Sequence, residues 1–266
     1  MSTFPLSRRL NGERLVLFGW SRAILLQLAH PLIAAGVSEH SSFREGRITA
    51  AVRLHHTVRA MLSLTFGTEA ERDATLAGIN TIHRRVNGRL AEDVGPFAAG
   101  TRYSAEDPEL LLWVHATLLD SIPLIYSLTV TPLEEAERDA YCREAAPIAL
   151  ALGVPASDVP MSWGALQTYM TRVYASGRLA VGRTATDVAN AVLAPPLKAF
   201  VFPMAHINRL VTLGMLPPAI RSQYGFEWTP RDERAFHRWL RRLKAIRSVM
   251  PAPLALWPEA RKAQRI

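Results

Sequence analysis

Apolar residues recur every three or four positions along most of this chain, which is the period of an amphipathic helix. One such stripe consists of Ile48, Val52, His55, Val58 and Leu62. No segment alternates apolar and polar residues between hairpin turns, so the pattern predicts no strand. The predicted helices cover residues 12–29, 31–37, 45–66, 69–87, 107–130, 132–152, 162–176, 186–194, 197–213, 217–223 and 230–249.

Capping sequences support these helix starts. Thr68-Glu69-Ala70-Glu71 predicts a capping box, and Asn87-Gly88 is expected to end the same helix. Asp107-Pro108-Glu109 combines an N-cap, a proline at the first helical position and an acid in the first turn. Thr131-Pro132-Leu133-Glu134 and Thr229-Pro230-Arg231-Asp232 repeat that logic.

No internal repeat or interdomain linker interrupts the helical pattern. Pro203 is expected to kink or break its helix. The glycine-containing loops at 88–104 and 177–185 are candidates to cover a pocket. We therefore predict an all-α fold in which residues 1–266 form one multi-helix domain.

Composition constrains the core, the disulfide content and the expected cellular compartment of this domain. The chain has 266 residues, of which 49% are hydrophobic, so it can bury a sizeable core. Its single cysteine, Cys142, excludes an internal disulfide. A reducing compartment and no visible secretion leader predict a cytoplasmic protein. The net charge of +8 would attract nucleic acid, anionic lipid or porphyrin propionates.

The most apolar stretches and the most basic helix are both predicted to pack against the rest of the protein through their apolar residues. Residues 24–37 and 110–130 carry histidines and an acid, so they favour buried core helices over membrane spans, although peripheral membrane contact stays open. In the basic helix, residues 230–249, apolar positions interleave with the arginines. This pattern predicts that the arginines lie on the solvated side of the helix. Without a base-reading motif, no nucleic-acid partner is predicted.

The candidate chemistry lies in two histidine-containing groups, Arg53 to Thr57 and Ile82 to Val86. Ile79, Ile82, His83 and Val86 are expected to share one apolar helix face. A histidine on such a face is most often a core residue, but a buried neutral imidazole can also bind iron. Arg84 and Arg85 beside it could pair with propionates or simply be solvated.

Other histidines allow the same two interpretations. His30 precedes Pro31 and could satisfy a backbone carbonyl freed there. Glu39 and His40 could perform acid–base chemistry or form a surface pair. His115 is expected to line the core or a pocket, and it is a rival iron ligand. The sequence has no metalloprotease, paired-cysteine, phosphate-loop or dinucleotide motif.

At several of these residues the sequence resembles the MpaB and rubber oxygenase (latex clearing protein) catalytic-domain family. The resemblance is strongest over residues 10–225 and is carried by these segments: Gln27 to Val37, Arg53 to Thr57, Phe66-Gly67, Ile82-His83, Tyr103-Ser104, Asp107 to Ser121 and Arg209 to Pro217. It implies a globin-related helical core that encloses one haem b. By that resemblance His83 matches the axial iron ligand.

The resemblance also assigns roles to the residues around that ligand. Arg53 and Thr57 match a pair that could hold haem or polarise bound oxygen. Arg84 is not part of that match, and its expected contact with a propionate rests on the chemistry of its guanidinium alone. His56 stands where the family has a basic residue, so His83 and His56 could ligate iron from opposite sides. Glu39 is the candidate base, although its spacing from Arg53 differs slightly from the family pattern.

The activity that the resemblance implies is oxidation or cleavage of an apolar unsaturated substrate by dioxygen. A small terpenoid, isoprenoid or lipid is the expected substrate class. One alternative is a non-catalytic haem protein, such as a sensor, carrier or electron-transfer module, with two histidines on iron. Another is a haem-free helical protein whose histidines are structural.

Overall fold

A computed structural model of the chain describes residues 5–39, 47–193 and 202–263, with the backbone alone described at 47–55 and 202–204. The helices are α1 (Leu6–Asn11), α2 (Leu17–Leu28), α3 (Pro31–Glu39), α4 (Arg47–Phe66), α5 (Glu69–His83), α6 (Pro108–Thr129), α7 (Glu135–Ala151), α8 (Trp163–Ala175), α9 (Arg183–Leu193), α10 (Phe202–Met215), α11 (Pro218–Gln223), α12 (Pro230–Val249), α13 (Ala252–Ala255) and α14 (Pro258–Ala263), with a 3-10 turn at Arg14–Val16. The all-α class is confirmed.

The core is centred on α2 and α6. A Cβ added to Gly19 of α2 would lie 2.8 Å from the Ser121 carbonyl oxygen of α6, so the two backbones approach as closely as glycine permits. Helices α7, α8 and α12 pack against other sides of α6, and α9 and α10 pack against α2. By length and apolar composition α6 could cross a membrane, but 67% of that stretch is buried inside the protein.

A buried ion pair links these two helices. Arg22 of α2 lies 2.7 Å from the Asp120 carboxylate of α6, and both side chains are largely buried. The same guanidinium donates to Ser121 Oγ and to the carbonyl of Met215, at the carboxyl end of α10. Gln167 of α8 donates to the other Asp120 oxygen. Four helices therefore share one hydrogen-bonded network around a desolvated charge.

The break between α2 and α3 bends the chain by 106° between the segments Arg14–Leu28 and Pro31–Glu39. Pro31 has no N–H, and the His30 N–H bonds to Gln27. The carbonyl of Leu26 instead accepts from Trp113 Nε1 of α6. The expectation that the His30 side chain would satisfy a freed carbonyl is therefore wrong at this position.

Strands were not predicted from the sequence, but β1 (Asn87–Arg89) and β2 (Arg102–Ser104) form an antiparallel hairpin. Each strand has three residues, too few to show an alternating pattern. Helix α5 consequently ends at His83, earlier than predicted, because the chain turns through hydrogen bonds from Arg85 and Val86 to the carbonyls of Ile82 and His83.

Other boundaries also differ from the prediction. Helix α7 begins at Glu135 because the Glu137 carboxylate accepts from the N–H of Glu134. Pro203 does not break a helix, since it lies in the first turn of α10, where its missing N–H costs no hydrogen bond. The short helices α1, α13 and α14 were not predicted, and the expected start of a helix at 197 lies outside the described residues.

Removal of the Asp120 charge tests the buried network. We expect Asp120→Asn to lower the free energy of unfolding by about 3 kcal/mol or more, because Arg22 would stay buried without its counter-ion. Chemical denaturation measures this difference. In the control variant Glu109→Gln, which removes the exposed Arg178–Glu109 pair, the loss should be less than about 1 kcal/mol. Equal losses in the two variants would contradict the assignment.

Candidate functional site

Helices α4 and α5 form an antiparallel pair that carries most of the predicted site residues. The capping box of Thr68 and Glu71 is confirmed and starts α5 directly after the turn at Gly67. Ser63 of α4 and Thr75 of α5 are joined by a 2.8 Å hydrogen bond. These contacts hold the two helices together at the end where they are connected.

His83 is the last residue of α5 and is half-buried. Its Nδ1 is buried and has no hydrogen-bond partner among the described residues. Burial lowers the pKa of His83, against the opposing pull of the Glu106 carboxylate. The imidazole is therefore neutral at pH 7, which is the form that binds iron.

The predicted apolar face of α5 is wrong in part. Ile82 is 62% exposed, whereas Ile79 and His83 are half-buried. Val86, which was predicted in the same helix, lies beyond its end in the turn to β1. His83 thus lies at a helix terminus, next to the turn that leads into the hairpin, and not in the middle of a buried stripe.

Tyr103 of β2 joins the hairpin to α3. A Cβ added to Gly88 would lie 2.5 Å from its hydroxyl oxygen, and one added to Gly36 would lie 3.5 Å from its ring. The Tyr103 hydroxyl donates to Glu39 Oε2 at 2.5 Å. Burial and the Glu39 carboxylate raise the pKa of Tyr103, so the phenol keeps its proton and remains a donor.

The turn after His83 lies close to this cluster. Val86 Cγ1 is 3.3 Å from the position that a Gly36 Cβ would occupy, and the Val86 carbonyl accepts from the N–H of Ala105. The structure thus brings the end of α5, the hairpin and α3 together. Tyr103 belongs to one of the segments that carry the family resemblance. Its contact with Glu39 was not predicted from the sequence.

The other predicted site residues lie on α4 and at the start of the turn after α5. His56 and Thr57 are exposed, and Arg53 lies on the α4 backbone with its side chain outside the described residues. His40 is likewise outside the described residues. Arg84 follows His83 and is exposed, with its guanidinium donating to Thr81 Oγ1.

The loops at 88–104 and 177–185 contact each other, next to His30. A Cβ added to Gly95 would lie 2.3 Å from Ala180 Cβ, and the Arg178 guanidinium lies over the Phe97 ring. The imidazole of His30 packs 5.2 Å from that ring, centroid to centroid. Burial, with a contribution from the Arg178 charge, lowers the pKa of His30 to about 4.

His115 of α6 is the third histidine with a buried nitrogen that has no partner among the described residues, here Nε2. Burial lowers its pKa to about 4. Within the same described part of the chain, no group of three or more metal-ligating side chains is found. Histidines with an unpartnered nitrogen are thus present, but a metal site made by protein ligands alone is not among these residues.

Two charges that the sequence reasoning left without a role are Arg22 and Asp120. Arg22 is the only charged residue of α2, and Asp120 is the only one of α6 beyond Glu109 in its first turn. That isolation within apolar sequence is the signal by which a buried pair could have been inferred. Their network holds α6 in place, and α6 carries His115.

Acidification should destabilise the protein through its buried histidines. The folded-state pKa values of His30 and His115 lie below the ordinary 6.5. The two neutral histidines therefore contribute fully to the free energy of unfolding above pH 6.5, and this contribution is lost as the pH falls towards 4. We expect about 3 kcal/mol of lost unfolding free energy per histidine over that range. Urea unfolding of the purified protein at several pH values measures this loss.

The variant His115→Leu should reduce this pH dependence by the share of one histidine. The exposed His237, replaced by leucine, is the control and should leave the dependence nearly unchanged. An identical pH profile in wild type and His115→Leu would show that His115 is not held neutral by burial.

Comparison with known proteins places this arrangement in a family. The family model described as ER-bound oxygenase mpaB/B'/Rubber oxygenase, catalytic domain, matches residues 8–245. Uncharacterized proteins of Mycobacterium bovis and Mycobacterium tuberculosis are each 29% identical over 222 residues, which is 82% of this chain and 82% of each relative. No solved structure matches. The chain belongs to the mpaB/rubber oxygenase catalytic-domain family and is an oxygenase-family enzyme domain.

Proposed function

We propose that the chain is a haem b-dependent oxygenase that oxidises or cleaves an apolar unsaturated substrate with dioxygen. The oxygenase family match supports the reaction class. The observation that carries the haem assignment is the neutral imidazole of His83, whose buried Nδ1 has no partner among the described residues. When bound, haem b would supply the iron at which dioxygen is activated.

Two residues at the end of α5 support a bound porphyrin. The His83 imidazole would hold the iron, and the adjacent Arg84 is an exposed guanidinium of the kind that pairs with a carboxylate. A porphyrin provides four of the iron ligands itself, so one or two protein histidines suffice. Arg53 and Thr57 of α4 would contact the cofactor or polarise the bound oxygen.

Glu39 is the proposed base that accepts a proton from the substrate. Its side chain is exposed at the end of α3, and one carboxylate oxygen accepts the hydrogen bond from Tyr103. That bond fixes the orientation of the carboxylate and leaves Oε1 available to take a proton. Tyr103 is thus a positioning residue, since it acts through Glu39.

The proposed substrate is a terpenoid, isoprenoid or unsaturated lipid. The family description names rubber oxygenase, and rubber is a polymer of unsaturated isoprene units. An allylic C–H is only weakly acidic, so Glu39 could take that proton only while the adjacent double bond gives up electrons to dioxygen. A small isoprenoid has both the double bond and the allylic C–H without being a polymer.

Replacement of His83 tests the axial ligand. We expect His83→Ala to lose stoichiometric haem while it stays folded, because His83 is only half-buried and its Nδ1 has no partner among the described residues. A pyridine haemochrome assay measures bound haem, and circular dichroism checks the helices. In the control, His237→Ala should retain the wild-type haem content. Retained haem in His83→Ala would contradict the assignment.

Replacement of His56 separates an oxygenase from a non-catalytic haem protein. His56 is exposed on α4, which packs against α5, so we propose that its imidazole would be a second residue holding the haem iron, in addition to His83. Removal of His56 would then make the iron more accessible to dioxygen. His56→Ala should change the ferric spectrum from six- to five-coordinate and speed dioxygen binding.

The opposite outcomes of this experiment are also informative. An unchanged spectrum would show that His56 does not bind iron. If the wild type stays six-coordinate and fails to bind dioxygen after reduction, the alternative of a carrier, sensor or electron-transfer protein with two histidine ligands is favoured.

A further inference from the structure

Helix α12 presents a basic face to solvent. Phe236, Leu240 and Leu243 pack inwards, as the sequence predicted. Residues spaced by three or four positions share the opposite, exposed face. In order along the helix, that face contains Arg231, Arg234, Arg238, Arg241, Arg242, Ala245 and Val249.

The acidic residues of α12 do not neutralise this face. Asp232 accepts hydrogen bonds from the N–H and hydroxyl of Thr229 at the start of the helix. Glu233 pairs with Trp228 and His237. Among the described residues, no salt bridge involves an arginine of the exposed face. The face is therefore a stripe of cations whose charge is available to an outside partner.

The carboxyl end of the same helix is apolar and exposed. Val249 is 81% exposed, Ile246 is 47% exposed, and Leu254 of the following α13 is 62% exposed. Half-buried Trp239 lies under the Arg242 guanidinium, and half-buried Trp257 lies under Arg14. One tryptophan therefore lies along the cationic stripe in the middle of α12, and the other follows the apolar end in sequence.

We infer that α12 and α13 form a docking surface for an anionic lipid bilayer. The cations match phosphate headgroups, the apolar tip matches the acyl boundary, and tryptophan prefers the interface between the two. A nucleic acid would use the arginines but would gain nothing from three exposed aliphatic side chains at the end of the stripe. Ile246, Val249 and Leu254 lie beyond residue 245, where the family match ends.

This inference does not depend on haem or on oxygenase activity, so each can fail separately. If both hold, membrane docking places the enzyme where an apolar substrate is most concentrated. The inner face of α12 packs on α6 and α10, so only its outer face would contact the membrane.

Vesicle co-sedimentation of the full-length protein tests the docking surface. We expect binding to vesicles of phosphatidylcholine with phosphatidylglycerol, little binding to phosphatidylcholine alone, and weaker binding as salt increases. Each arginine near an anionic surface contributes about a fivefold increase in partitioning. The combined variant Arg234→Gln, Arg238→Gln and Arg241→Gln should therefore bind on the order of 100-fold more weakly.

Matched controls separate this surface from general charge and apolarity. Arg72→Gln, Arg143→Gln and Arg172→Gln remove the same charge from exposed positions on α5, α7 and α8 and should leave binding nearly unchanged. Val249→Ser with Leu254→Ser should weaken vesicle binding on the order of 10-fold. The same pair of changes at exposed Leu150 and Met161 is the control and should have little effect.

Three outcomes would overturn the inference. The first is no binding to anionic vesicles. The second is vesicle binding that the arginine variant and its control weaken equally. The third is tight binding to duplex DNA that the arginine variant abolishes and the Val249→Ser, Leu254→Ser variant leaves intact, without vesicle binding, because that result assigns the surface to nucleic acid.

Discussion

The packing of four helices depends on the buried charge of Arg22. A guanidinium removed from water is tolerated only when its donors are met, and here a carboxylate, a hydroxyl and a helix-terminal carbonyl meet them. These acceptors belong to α6 and α10, and Gln167 extends the network to α8. Small relative movements of these helices would leave a buried charge without partners. The network therefore fixes the positions of these helices relative to one another.

From this fixed centre, the break at Pro31 directs α3 towards the periphery. There Gly36 and Gly88 allow the Tyr103 ring to lie between α3 and the hairpin, and its hydroxyl reaches Glu39. The turn after His83 closes the same cluster. The core helices and the packed hairpin thus bring the end of α3, which carries Glu39, and the turn after His83 into one cluster, although these elements are far apart in sequence.

Long helices could be predicted from the sequence because their signals are local. The capping box at Thr68 and the Asp107-Pro108 start are both observed. The hairpin could not be predicted, since its strands have three residues and are stabilised by Tyr103 and α3, contacts that no local pattern contains. The same limit applies to the end of α5: apolar spacing extended the helix to residue 87, whereas tertiary packing ends it at His83.

The candidate site could be predicted only in part, because some of its contacts are tertiary and leave no local pattern in the sequence. His83 and Glu39 were identified through resemblance to a family, but the hydroxyl that orients Glu39 is a tertiary contact. The Arg22–Asp120 pair had a visible signal, since each charge is isolated within an apolar stretch of its helix, yet its partners on α8 and α10 depend on the fold. A globin-related haem pocket stays a prediction.

The most direct test is the optical spectrum of the purified wild-type protein, oxidised and dithionite-reduced, with a pyridine haemochrome assay and a titration with added haemin. A neutral His83 that binds iron predicts a b-type spectrum and stoichiometric haem. A colourless protein that also fails to take up haemin would contradict the account and would make its buried histidines structural.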